Sequence, residues 1–183
     1  MKLNAKELRD VKEEDIAEKL KTLKRQPIYF ILENIYDTYN IGGLFRLADA
    51  LAIEKIYICG ESEIPPNSKI KKASIGTYKV VPWEYCKSAS EAVADLRSKI
   101  KDQRSKIKII AVEQAKNSVP YTKADYTSPV ALILGNETYG ITEETLKLVD
   151  TIVEIPMWGI NKSLNVIVSA AIVSYFAVSS SFK

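Results

Sequence analysis

Apolar residues fall along this chain at two spacings. Six short runs are apolar nearly throughout: Ile28–Leu32, Ile56–Cys59, Tyr78–Pro82, Ile107–Val112, Val130–Leu134 and Ile152–Ile155. Such runs suit strands buried on both faces. Between them the spacing turns helical, over Ile41–Ala52, Ala89–Lys101, Glu143–Val149 and Ser163–Val178. Ser88 and Glu91 make a capping box at the head of the second of these helices, with Val93, Leu96 and Ile100 on one face. Residues 4–24 carry a stripe of Leu8, Val11, Ile16, Leu20 and Leu23, with Asn4 and Glu7 as capping box. That stripe predicts amphipathic helix, in one piece or two. Strands alternating with helices predict an α/β fold, a mostly parallel sheet with helices on both faces. The pattern divides the chain into a helical extension, residues 1–26, and one domain, residues 27–183.

Composition narrows the chemistry. A chain of 183 residues, 46% of them apolar, buries a core without a disulfide or metal to staple it. There is no histidine, which removes Ser-His-Asp and Cys-His nucleophilic sites and histidine bases. Acid–base work is left to Asp, Glu, Lys, Tyr and Arg, or to substrate and cofactor. Cys59 and Cys86 fit no metal-ligand spacing and read as core residues, so no metal is expected. No apolar run reaches the roughly 18 residues of a membrane span. Residues 1–26 are too charged for a signal peptide, and the expected location is cytoplasmic. The net charge of +3 admits a polyanionic partner without pointing to one. The densest basic stretch, Arg97 to Lys108, reads as a soluble helix end more readily than as a binding surface.

Three segments look like chemistry. The first, Asn34 to Ala50, leaves a strand and enters a helix, with Asn40 placed to cap it and Gly42-Gly43 permitting close approach. Its spacing is not the dinucleotide fingerprint. Arg46 stands there amid Leu44, Phe45, Leu47 and Ala48, where a buried guanidinium needs either a carboxylate or a substrate phosphate. The second, Leu134-Gly135-Asn136-Glu137-Thr138-Tyr139-Gly140, follows a buried strand; ligands of open parallel sheets sit beyond such strand ends. It lacks the Lys-Ser/Thr of a P-loop. The third, Ile155-Pro156-Met157-Trp158-Gly159 through Ser163-Leu164-Asn165-Val166, joins a strand end to a long apolar helix. Asn161 or Ser163 is expected to cap that helix and Asn165 to lie inside it, its amide in need of partners.

In this order the segments resemble the motifs of the SpoU (TrmH-like) RNA 2′-O-ribose methyltransferases of the SPOUT superfamily. Segment one is similar to the family's Asn-x-Gly-Ala/Gly-Leu/Ile-x-Arg-x-Ala run, segment two to Leu-Gly-Asn-Glu-x-x-Gly, and segment three to Ile-Pro-Met-x-Gly-x-x-x-Ser-Leu-Asn-Val. The likeness spans about residues 28–178. It implies a C-terminal deep trefoil knot, S-adenosyl-L-methionine as cofactor, tRNA or rRNA as substrate, and a homodimer. Carried over by position, Val112, Leu134, Gly135, Asn136, Ile155, Pro156, Met157, Ser163 and Leu164 hold the cofactor. Asn40, Arg46, Glu137, Ser163 and Asn165 are the catalytic and RNA-facing set. The resemblance makes Arg46 the base, yet a guanidinium keeps its proton to above pH ~12. We read Arg46 as positioning the ribose and stabilising the developing alkoxide, with Asn40 and Asn165 orienting it. Departures from the pattern are Leu47, Thr138 and Ile167. A base-methylating SPOUT enzyme, a non-catalytic RNA- or cofactor-binding module, and an unknotted flavodoxin-like nucleotide binder are the alternatives.

Overall fold

A computed structural model describes residues 2–100, 106–127 and 129–181. Seven strands form one sheet: β1 (Gln26–Glu33), β2 (Ile53–Cys59), β3 (Trp83–Cys86), β4 (Lys108–Val112), β5 (Val119–Pro120), β6 (Val130–Leu134) and β7 (Thr151–Glu154). Their order is β3-β2-β1-β6-β4-β7-β5, and every pairing between them is parallel. The apolar runs explain this arrangement. In β1, Phe30 and Leu32 enter one core while Ile31 between them enters the other. The first core is roofed by α3 (Thr38–Ala50) and α7 (Val166–Ser181), the second by α5 (Ala89–Lys99). Helices on both faces of a parallel sheet are thus what the pattern expected.

Several boundaries move, each for a local reason. The expected strand at Tyr78–Pro82 is a 3-10 turn over Thr77–Lys79, and β3 begins only at Trp83. Pro82 has no N–H for the ladder, although its carbonyl accepts from Ile56 N at 2.9 Å. Helix α3 starts three residues before Ile41, because Asp37 and not Asn40 caps it, accepting from Tyr39 N. Helix α4 (Ser68–Ser74) was not expected; Asn67 caps it through Lys69 N and Ile70 N. Helix α6 (Glu143–Leu146) is shorter than Glu143–Val149, and the two-residue β5 was also unforeseen. Helix α5 ends at Lys99 by its bonding pattern, and Lys101 lies outside the described residues. Helix α7 starts at Val166, so Asn165 precedes the helix and neither Asn161 nor Ser163 caps it.

Residues 2–25 carry two helices, α1 (Ala5–Asp10) and α2 (Glu13–Thr22), packed on the first core through Leu8, Val11 and the buried Ile16. The Asn4–Glu7 capping box is present. Lys79 Nζ donates to the carbonyls of Arg9 at 3.0 Å and Val11 at 2.8 Å, tying the extension down. Among the described residues no helix is long and apolar enough to cross a membrane.

Helices α3 and α4 touch where α3 has no side chain. A Cβ built on Gly42 would lie 2.4 Å from Ala73 Cβ and 2.8 Å from Ser74 N. Backbone cannot retreat from such a contact without opening the pair. Gly42→Val is therefore expected to lower folding stability by about 1–3 kcal/mol, read from the denaturant midpoint. An unchanged midpoint would contradict the close α3–α4 seat.

Candidate functional site

The loops that leave β4, β6 and β7 converge on the first residues of α7 and enclose a cavity of about 410 Å³. It opens at the carboxyl ends of parallel strands, where strand carbonyls and loop backbone face a ligand. Val112, Leu134, Ile155, Met157 and Leu164 give it apolar wall; Gly135, Asn136, Glu137, Ser163 and Asn165 give polar wall. Of the residues expected to hold a cofactor, Pro156 alone is absent from the lining. Glu113 and Glu154 also line it, and among the described residues no lysine or arginine is in the wall. A cavity part apolar, part anionic fits a cationic molecule with an aromatic group, and S-adenosyl-L-methionine, carrying a sulfonium, an amine and an adenine, is of that kind.

One chain of side chains joins all three segments. Asn165 Nδ2 donates to Asn40 Oδ1 at 3.0 Å, and Asn40 Nδ2 donates to Glu137 Oε1 at 2.8 Å. Asn40 is buried, at 6% exposure, with both ends of its amide satisfied by these partners. Asn165 also accepts from Ile167 N at 2.8 Å, which is how α7 is capped. The expectation of a mid-helix amide is thereby corrected: Asn165 is exposed at the helix mouth and serves cap, neighbour and cavity together. Asn40 lies in the first turn of α3, clear of the cavity lining, and meets it only through Glu137 and Asn165.

The loop after β6 is held by partners that composition gave no reason to single out. Asn136 Oδ1 accepts from Thr138 N and Tyr139 N, its backbone pairs with Gly140, and its Nδ2 donates to Asn34 O at 2.7 Å. Gly140 takes φ +70, so the left-handed turn falls on glycine, and Thr138 carries no positive φ. Glu113 accepts from Ile141 N at 3.0 Å. Behind the loop, buried Glu33 accepts from Thr142 N, Thr142 Oγ1 and Thr145 Oγ1. Gln114 Nε2 donates to Lys162 O, linking the loop after β4 to the third segment. Glu33 at the end of a strand otherwise apolar was the one legible signal of this support.

Arg46 departs from expectation. It is exposed on α3, and among the described residues it makes no hydrogen bond or ion pair, nor does it line the cavity. Neither Asn40 nor Asn165 orients it within one chain. The buried-arginine argument failed because only Leu44, Phe45, Leu47 and Ala48 face the core, while Arg46 takes the outward position between them. Ile167 is accommodated by Gly43, where a Cβ would lie 2.3 Å from Ile167 Cδ1. Cys59 and Cys86 are buried and free, and burial pushes both thiols up, away from nucleophilic use.

Comparison with known proteins matches residues 27–175 to the SpoU rRNA Methylase family. The tRNA (guanosine(18)-2′-O)-methyltransferase of Escherichia coli K12 is 30% identical over 158 residues, covering 84% of this chain. The chain spans 64% of that relative's length. Among solved structures, the Aquifex aeolicus TrmH/SpoU tRNA modifying enzyme superposes with a TM-score of 0.73 at 26% identity, covering 89% of this chain and 82% of that one. The AdoMet-bound rRNA methyltransferase from Sinorhizobium meliloti gives 0.73 at 27% identity, covering 94% and 60%.

Removing the Glu33 carboxylate takes away the acceptor shared by the Thr142 N–H and the Thr142 and Thr145 hydroxyls, of which only the Thr142 hydroxyl has another, Thr145 Oγ1. Glu33→Ala is expected to destabilise the fold by about 1–3 kcal/mol and to speed hydrogen exchange at Gly140–Thr142 before other strand ends. Uniform exchange across the sheet would show that Glu33 is not what pins the loop.

Proposed function

The chain belongs to the SpoU family, and from that premise we propose that it is an RNA methyltransferase, transferring a methyl group from S-adenosyl-L-methionine to a ribose 2′-hydroxyl of tRNA or rRNA. The observation that carries this reading is the Asn165–Asn40–Glu137 chain, which draws three motif segments to one cavity at the strand ends. The cofactor supplies the electrophilic methyl on its sulfonium. This chain's residues bind, orient and neutralise. Val112, Leu134, Gly135, Asn136, Ile155, Met157, Ser163 and Leu164 hold the cofactor, with Pro156 between two of them in sequence. Asn165, with one amide N–H beyond that given to Asn40, holds the ribose. Glu137, oriented by Asn40, accepts from a ribose hydroxyl. Residues 27–183 are proposed as the methyltransferase domain and residues 1–26 as an extension on it.

We further propose a two-fold homodimer in which Arg46 serves the partner's cavity. Two features support it. Among the described residues the cavity wall holds no cation, and Arg46 stands outward without a partner. The outer face of α7, with Val168 and Tyr175 exposed, is apolar and uncovered, and symmetric pairing is the commonest way to cover such a face. At the ribose Arg46 would fix the adjacent phosphate and stabilise the alkoxide, without itself accepting the proton. The trefoil knot belongs to the same reading. Its support is that β7 pairs with both β4 and β5, so residues 155–165 leave the sheet between the two strands joined by residues 113–118. Unlinked Cys59 and Cys86, opposite each other on β2 and β3, support a cytoplasmic location.

The test is transfer of an isotopic methyl group to RNA, followed by nucleoside analysis. Label on ribose supports the proposal; label on a base selects the base-methylating alternative, and no label removes catalysis. Arg46→Ala is expected to abolish transfer while cofactor affinity stays within a few fold. Mixed with a cavity-blocked Leu164→Trp protein and allowed to exchange subunits, it should regain activity, and failure to complement would remove the shared site.

A further inference from the structure

Two exposed aromatic side chains, Tyr139 and Trp158, stand on loops that build the cavity, and two more, Tyr36 and Tyr39, stand at the start of α3 beside the residues that contact those loops. Trp158 is 92% exposed, Tyr139 81%, Tyr39 53% and Tyr36 49%. Each is next to the site machinery. Trp158 follows the cavity residue Met157, and Tyr139 lies between the cavity residues Thr138 and Gly140. Tyr39 precedes Asn40, and Tyr36 N donates to Glu137 Oε2 at 3.4 Å. Tyr36 is held in position, its hydroxyl donating to Glu61 Oε2 at 2.9 Å. That bond, first among the causes, raises the phenol's pKa; Tyr139 and Glu137 also lie within electrostatic reach of the phenol.

Resting on the RNA-methyltransferase reading, we propose that these four residues form a stacking rim for unpaired nucleobases flanking the methylated ribose, which makes the substrate a single-stranded segment of RNA and not a duplex. Aromatic faces at a site mouth receive splayed bases without regard to sequence. Along the chain polar residues accompany the rings, Asp37 and Thr38 between Tyr36 and Tyr39, and Glu137 and Thr138 before Tyr139, while Ile160 stands exposed beside Trp158. A duplex would keep its bases stacked on one another and its ribose in the groove, out of reach of a cavity between loops. The motifs group the three segments, but these rings stand at positions the motif pattern leaves open.

Trp158 makes the rim measurable. The chain has two tryptophans, and Trp83→Phe leaves Trp158 as sole reporter. A short unstructured RNA oligomer is titrated against it, beside the same strand annealed to its complement and a strand of equal length with abasic sites. The single strand is expected to quench Trp158, and Tyr139→Ala and Trp158→Ala (the latter by calorimetry) are each expected to weaken its binding roughly 5- to 100-fold while leaving abasic binding within about twofold. Equal quenching by duplex or abasic strand, or unchanged affinity in both variants, overturns the rim. So does an emission shift that follows protein concentration without RNA, which would assign Trp158 to a protein contact. The two readings fail separately: absent methyl transfer by the unsubstituted protein removes the activity, whereas transfer with no stacking removes the rim alone.

Discussion

Asn40 is a buried amide whose two partners come from segments nearly a hundred residues or more away in sequence, Glu137 and Asn165. Burying an amide without partners costs about 1–3 kcal/mol, so its place in α3 depends on both of those loops being closed over it. The dependence runs the other way as well. Glu137 sits on a loop between two glycines, and Asn165 ends a stretch of eleven residues, 155–165, with no regular structure of its own. Such backbone keeps one conformation only where side chains fix it. The sheet gives the loops their origin, and this chain of three polar groups gives them a common end.

Around that chain the supports are arranged by depth. Glu33 and Asn136 spend their hydrogen bonds inside the protein, on Thr142, Thr145, Asn34 and the 138–140 turn. Glu113 and Gln114 brace the loops from the side of β4. What remains turned outward is chemically lopsided, with carboxylates in the cavity wall, aromatic rings at its mouth, and Arg46 on a different face of the same fold. In the proposed dimer, anion and cation stay apart until assembly brings the partner's Arg46 to the cavity. The glycines of α3 serve the same end: Gly42 seats Ala73 and Gly43 seats Ile167, drawing α4 and α7 onto the helix that carries both Asn40 and Arg46.

Much of this was legible in the sequence, and the failures have physical causes. Apolar runs located β1, β2, β4, β6 and β7, since strands buried on both faces leave no ambiguity of period. They misplaced β3, because Val80 and Val81 are buried through a turn and not a strand. The Asn4 capping box is present. Ser88 caps its helix, although Glu91 accepts from Lys87 N and not from Ser88 N, so half of that expected box is missing. At α3 Asp37 takes the cap, freeing Asn40 for its tertiary partners. Asn165 was placed inside α7 because the apolar pattern begins at Leu164; the helix begins only where that amide can cap it. Arg46 was read as buried from its neighbours in sequence, whereas a helix turns adjacent residues to different faces. Glu113 and Gln114 answer to contacts over long separations, which no local pattern reports.

The central claim is that the three segments form one site because Asn40 couples them. A double-mutant cycle of Asn40→Ala and Asn165→Ala, measured by denaturant unfolding, addresses it most directly. The account predicts non-additivity of about 0.5–3 kcal/mol between the two substitutions. Single effects that add to within about 0.3–0.5 kcal/mol would contradict it, since the two amides would then stabilise the protein independently of each other.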